Sequence, residues 1–303
     1  MIDLHSHTSE SDGTYSPKEL VTAAHHLGLD ALAITDHDTF SGFEEARPHA
    51  DAVGLNLLCG IEVSTALGNP KTKTVHVLGY FLKGGPSDGF RAWVLKMQVA
   101  RRDRNERLAV RLRSLGLDIH IEEVNAIGRS MAGRPHFARL LVEKGYCSSI
   151  QDAFAKYLDE AAPGYVDRDE PSLEETIQRI SDGGGLSSLA HPIRLGKRNH
   201  ADEDQLIGQI AGWGLRAIEV YHSDQTAADS ARYFELARKY GLLMTGGSDF
   251  HGGNKPSIQL GTGYKGNLDI SKDLLDAMMA SESSPSPSGP SLDAVALLSS
   301  PQS

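Results

Sequence analysis

The chain has 303 residues, 40% hydrophobic and 23% charged, a balance that supports one large or two smaller globular domains and excludes general disorder. A formal charge of −10 excludes a protein that tracks long nucleic acid with a basic face, but not an anionic ligand at one focused site. Cys59 and Cys147 stand far apart outside any CxxC pattern, so no disulfide framework or thiolate metal site is expected and a reducing, cytoplasmic compartment fits.

No charged-then-apolar leader precedes the first strand, and no apolar run approaches the length of a membrane span, so no membrane association is expected. IDLHSH reads as that first strand. Side chains at i and i+2 share a face, so His5 and His7 point the same way. Ser16 and Glu19 form a capping box with Pro17 at the first helical position; Leu20, Ala24 and Leu27 line one face, and Gly28 ends the helix. ALAIT (31–35) is a short apolar strand, Ser41 with Glu44 starts a second capped helix, and LLCGIEV and VHVLGYF are strands. Near Pro86 the character changes. From 88 to 170 the pattern is helical and arginine-rich, through RAWVLKMQVARRDRNERLAVRLRSLG, PHFARLLVEKG and IQDAFAKYLDE. From 172 helix and strand alternate again: SLEETIQRI, LSSLAH, DQLIGQIAGWG, RAIEVYHS, TAADSARYFELARKYG, LLMTGGSDFHG. The chain thus divides into 1–87 and 171–280 as two parts of one α/β body, a helical insertion over 88–170, and a flexible Ser/Pro-rich tail over 281–303.

Repeated strand–helix units predict a parallel sheet, open or closed into a barrel, with ligands at the carboxyl ends of the strands. Chemically useful residues stand there. Asp36 and His37 follow ALAIT, Glu62 lies near the end of LLCGIEV, and His76 lies on VHVLGYF. His191 follows LSSLA, His222 follows AIEVY, and Asp249 and His251 follow LLMTGGS. Histidine is also abundant, at 13 residues. Imidazoles and carboxylates at one end of several strands suit a divalent-metal site, and they outnumber the about four to six donors that one ion takes. Two or three ions sharing a carboxylate account for them better, an arrangement suited to phosphate esters. No GxSxG or Walker loop offers a competing chemistry.

HSHT, the SDG after it, ITDHD, GIEVS, VHVLGY, LAHP and GSDFHG resemble the ordered motifs of the PHP (polymerase and histidinol phosphatase) superfamily of phosphoesterases, across 1–88 and 171–265. The insertion, with GRPHFARLLVEKG and AFAKYLDEAAPGYV, is similar to that of bacterial members acting on nucleoside 3′,5′-bisphosphates, a subgroup that also trims short RNA from its 5′ end. The resemblance implies a distorted (β/α)7 barrel with a helical insertion and a trinuclear metal site. His5, His7 and Asp249 would hold one ion, Glu62 would bridge it to a second completed by His76 and His191, and Asp12, His37 and His251 would hold the third. Some relatives carry histidine at the position of Asp12, and the aspartate favours a harder ion; Mn²⁺ is expected first, Zn²⁺ or Fe²⁺ next.

The expected reaction is in-line attack on phosphorus by a hydroxide between the first two ions, with Glu62 bridging them. Arg134 in AGRPHF is the leading candidate for binding a substrate phosphate, against a salt bridge at its helix start. His136 is expected either to touch substrate or to cap its helix; Arg101 and Arg104 either bind phosphate or belong to a solvated charged face. His222 is a candidate proton donor, and Asp36 either a catalytic acid or a carboxylate orienting a histidine. Gly246 and Gly247 are expected to permit a tight turn, and His25, His26, His49, His120 and His200 to be surface or packing residues. The expected partner is a small anionic phosphate ester, a nucleotide or short RNA, with no long duplex and no obligate protein partner. Two rivals are a histidinol phosphatase-like phosphomonoesterase and a noncatalytic metal-binding PHP module.

Overall fold

In the computed structural model, which describes residues 1–68, 73–128, 131–196 and 199–282, seven strands lie side by side in chain order. They are β1 (Ile2–Asp3), β2 (Ala31–Ile34), β3 (Asn56–Leu67), β4 (Lys73–Phe81), β5 (Leu186–Leu189), β6 (Ala217–His222) and β7 (Leu243–Gly247). The chain beyond β1 closes the ring against β7. Leu4 N–H donates to Gly246 O at 3.1 Å, His7 N–H to Phe250 O at 2.9 Å, and Ser6 bridges Phe250 in parallel. The result is a nearly closed, distorted barrel. The tail expected over 281–303 lies, from 283 on, outside the described residues.

One strand departs from the expected parallel order: β4 runs antiparallel to both β3 and β5. A parallel return needs a crossover of about a dozen residues or more, and the segment between Leu67 and Lys73 is too short for one. His76 therefore reaches the functional rim from the first half of its strand, not from a carboxyl end.

The helices that pack outside the barrel are α1 (Pro17–His26), α2 (Ser41–Val53), the start of α3 (Asp88–Ser114), and, after α4 (Ile121–Gly128), α5 (Arg134–Glu143) and α6 (Ile150–Ala153), α7 (Leu173–Asp182), α8 (His200–Gly212) and α9 (Ala227–Tyr240). The last helix among the described residues, α10 (Asp273–Glu282), adds Leu275 and Met278 to a second cluster with Ile2, Leu4, Leu78 and Tyr80. The Ser16–Glu19 capping box of α1 forms as expected. The cap expected at Ser41 does not: Phe40 holds that position, Ser41 is already helical, and the Thr39 hydroxyl takes its N–H at 3.2 Å. Among the described residues no helix is long and apolar enough to cross a membrane.

A third apolar cluster, with Leu108, Leu112, Val124, Phe137, Leu141 and Leu158, draws all its members from the insertion. Helix α3 belongs to both bodies, since Phe90, Val94 and Met97 near its start pack in the barrel cluster. Its middle, Arg101 to Asn105, lies at the join.

Candidate metal centre

The segment after β1 alternates as an extended chain should. Leu4 packs in the second apolar cluster and the Ser6 hydroxyl donates to Ala33 O at 2.7 Å, while His5 and His7 turn to the other side with ring centroids 5.3 Å apart. Opposite them stands Glu62 of β3, 1% exposed. Its Oε2 lies 3.4 Å from His5 Nε2, 3.2 Å from His7 Nε2 and 3.2 Å from His37 Nδ1. Its Oε1 lies 2.8 Å from His76 Nδ1 and 2.9 Å from His191 Nε2. One carboxylate thus faces five imidazoles.

Two more carboxylates complete the basin. Asp249 Oδ1 is 3.5 Å from both His5 Nε2 and His7 Nε2, and Asp12 Oδ1 is 3.2 Å from His251 Nε2, with Oδ2 3.7 Å from His37 Nε2. All nine side chains expected as ligands come together at this rim. Gly247 makes room for them through close approach rather than the turn expected of it: a Cβ there would meet the His5 backbone nitrogen at 2.3 Å.

The donor set fits metal ions. His5 Nε2, His7 Nε2 and His37 Nδ1 are buried without a hydrogen-bond partner among the described residues, although carboxylate oxygens face them. Ligands about 2.1 Å from a tetrahedral ion stand about 3.4 Å from each other, which matches the separations around His5, His7, Glu62 and Asp249. Several overlapping groups of donors lie within 4.8 Å of one another, including His5–His7–Glu62, His37–Glu62–His76 and His7–Asp12–His37–His251.

Electrostatics point the same way. Burial opposes charge on Glu62, but His37, His76 and His5 outweigh it and hold its carboxyl well below the usual range. Asp12 is held down against burial by His251 and His37, and Asp249 by Lys255, His251 and Arg194. Burial also opposes charge on His7, yet its contacts with Asp249 and Glu62 push the imidazole up to about 9. Burial drives His37 down to about 3. In the cation-free protein the carboxylates thus stay ionised and keep a proton on His7 that a metal ion must displace.

Of the two roles expected of Asp36, its hydrogen bonds fit the one that orients a histidine, through Ser11, whose hydroxyl lies 3.4 Å from His7 Nδ1. Asp36 accepts from Thr8 N–H at 2.7 Å, the Thr8 hydroxyl at 2.7 Å and the Ser11 hydroxyl at 2.6 Å. It secures the loop that carries Asp12 and does not face the basin as a catalytic acid would. His222 is 1% exposed; its Nδ1 accepts from Asp224 N–H at 3.1 Å, so the neutral ring carries its proton on Nε2, 3.4 Å from Asp249 Oδ2.

The expected solvated face at Arg101 and Arg104 is corrected. Both are buried, because the middle of α3 is covered from two sides. Arg101 pairs with Asp38, which also takes Arg168 Nη1 at 3.0 Å, while Arg104 Nε donates to Asn105 Oδ1 at 3.1 Å. His136 caps its own helix, its Nδ1 accepting from Gly133 N–H at 3.0 Å. Arg134 donates to Leu158 O at 3.3 Å and lies over the Tyr165 ring. These residues meet side chains expected as ligands in a recess of about 140 Å³, lined by Asp12, His37, His76, Arg101, Arg104, Arg134, His136 and Arg168. Arg134 and His76 also border a wider opening of about 500 Å³ that includes Lys73, His191 and Arg194.

Residues 3–166 match the PHP domain family, more than half of the chain. The chain belongs to the PHP family. The 5′-3′ exoribonuclease Rnm of Escherichia coli is 36% identical over 257 residues, covering 83% of this chain and 85% of that protein. The 3′,5′-nucleoside bisphosphate phosphatase of Chromobacterium violaceum is 33% identical over 253 residues, covering 82% and 87%. A solved structure from Bifidobacterium adolescentis, described as a metal-dependent phosphoesterase, is 32% identical with a TM-score of 0.79, covering 92% of this chain and 95% of that one. This PHP protein is accordingly an enzyme, a metal-dependent phosphoric ester hydrolase.

Several site residues escaped the sequence reading: Asp38, Arg168, Arg194, Glu219 and Lys255. Arg194 Nη2 and Lys255 Nζ hold Asp249 Oδ2 at 2.9 and 2.6 Å, leaving Oδ1 to His5 and His7. A signal existed for Asp38, which stands in ITDHD, and for Arg194 in LAHPIR. Asp38, His191 and Asp249 also hold positive φ angles of 52°, 28° and 56°, strain concentrated where the site is.

Proposed function

We propose that this PHP enzyme hydrolyses the 3′-phosphate of nucleoside 3′,5′-bisphosphates, and that the same basin acts on short 5′-phosphorylated oligoribonucleotides. One observation carries the reading: the arginine-lined recess opens directly beside the imidazole–carboxylate basin, so two anionic groups of one substrate can be held at once. The names of the E. coli and C. violaceum relatives support both substrate types.

Bound at the basin, three divalent ions, manganese first and zinc or iron(II) next, would supply Lewis-acid charge and lower the pKa of water. His5, His7, Glu62 and Asp249 would hold the first, Glu62, His76 and His191 the second, and Asp12, His37 and His251 the third. Arg134 binds an equatorial phosphate oxygen where the recess meets the basin, and Arg101, Arg104 and His136 shape the wall for the second phosphate. His222 keeps a proton at Nε2 beside Asp249. The 88–170 insertion serves as the cap over a barrel made from 1–87 and 171–280. Two unpaired, buried cysteines support a reducing, cytoplasmic setting.

The test is a panel with added Mn²⁺: adenosine 3′,5′-bisphosphate, a 5′-phosphorylated RNA trimer and histidinol phosphate. Phosphate release from the bisphosphate is expected to dominate. Preferential turnover of histidinol phosphate would overturn the reading.

A further inference from the structure

We infer that Glu219 is a positioning residue that aims two metal ligands at once; the inference rests on the metal centre proposed above. Glu219 lies on β6 with no exposed surface. One oxygen, Oε1, is 3.0 Å from His5 Nδ1, and the other, Oε2, accepts from the backbone N–H of His191 at 2.6 Å. The two partners stand at the tips of different strands.

The first contact fixes a tautomer. A carboxylate offers only acceptors, so His5 carries a proton on Nδ1, and Nε2 is the nitrogen left to offer its lone pair once an ion displaces any proton there. That nitrogen is the one 3.4 Å from Glu62 Oε2 and 3.5 Å from Asp249 Oδ1, with no hydrogen-bond partner among the described residues. With the proton on the other nitrogen, His5 would offer the basin a donor instead of a ligand.

The second contact fixes a backbone. His191 sits at φ 28° and ψ 64°, in the left-handed region that a residue with a Cβ rarely holds, and Pro192 follows it. The hydrogen bond to Glu219 ties this turn to β6, and the His191 ring then reaches Glu62 Oε1 at 2.9 Å. The two rings meet the two oxygens of Glu62, one each. A single buried carboxylate therefore coordinates the aim of both halves of the basin.

Space filling alone does not require this. Glutamine has the same shape but one acceptor and one donor, so it cannot accept from both the imidazole and the amide. The experiment is a Mn²⁺ titration followed by the electron paramagnetic resonance of the free ion, on wild type, E219Q and E203Q. Glu203 is a control: it is likewise buried, with Arg232 and Tyr233 as partners on the outer helices. The expected result is binding about 10- to 100-fold weaker in E219Q and unchanged in E203Q. Wild-type binding in E219Q, or equal weakening in both variants, would overturn the inference and leave the metal centre standing. No Mn²⁺ binding by wild type would overturn both.

A second measurement needs no substitution at Glu219 and decides the matter if E219Q does not fold. Long-range nitrogen NMR of the Zn²⁺-loaded, histidine-labelled wild type should show His5 protonated on Nδ1. A proton on Nε2 would overturn the inference.

Discussion

The barrel rim and the outer face of the helical insertion use the same charged residue types to opposite ends. On the insertion, Arg107 pairs with Asp103, Arg139 with Glu143 and Lys156 with Asp152, each at i,i+4 spacing and with at least one largely exposed partner. Such pairs contribute little, because water solvates either member alone. At the rim, Glu62, Asp249 and Asp12 are withdrawn from water and surrounded by imidazoles, so each charge depends on its neighbours. Burial, more than residue identity, separates a solvated surface from a reactive one.

The sharpest way to break this contrast is at Glu62. Glu62→Gln should lower kcat/KM roughly 10³-fold or more, by analogy with the loss of one preorganised charge-stabilising group, and should reduce the Mn²⁺ bound per chain. Full activity with full metal content would remove Glu62 from the centre of the basin. Asp38→Asn should come next: it leaves Arg101 and Arg168 buried without their shared carboxylate and should cost about 3–5 kcal/mol, read from urea unfolding. Arg134→Ala should raise KM for the bisphosphate by roughly 10- to 100-fold with a smaller change in kcat, the mark of a lost charged contact to substrate.

A pH series sharpens the comparison. His7 in the cation-free protein is pushed up to about 9, so below that pH a metal ion must displace a proton. Mn²⁺ affinity should therefore rise with pH between 7 and 9, by up to about tenfold per unit, with proton release on binding measurable by calorimetry in two buffers. Affinity independent of pH in that window would show that His7 is not a ligand. At the small end, Arg139→Ala on the insertion should change stability by no more than about 0.5 kcal/mol. A loss of several kcal/mol would erase the distinction between the two regions.

How much could be read in advance follows the same division. The nine expected ligands could be gathered in advance because each stands in a short motif on or after a strand, and strand ends converge in an α/β barrel, although Glu62 and His76 lie inside β3 and β4. The direction of β4 was not legible from strand pattern, since a buried strand reads alike in either direction. Nor was the burial of Arg101 and Arg104: helical periodicity gives faces but not what covers them. Glu219 was hidden for a related reason. AIEVYH reads as a largely apolar strand in which Glu219 is the one acid, and only the fold shows that Glu219 reaches both His5 and His191.

The reversal of β4 carries a consequence for assembly. Glu62 pairs with Leu78 and Ser64 with His76 in one ladder, so Glu62 and His76 belong to a single hairpin, 14 residues apart. Local pairings of this kind form early, whereas the contact of His5 with Asp249 waits for nearly the whole chain. A growing polypeptide released before residue 249 would hold seven of the nine expected donors but lack Asp249 and His251, which would make mineral uptake one of the last acts of its maturation.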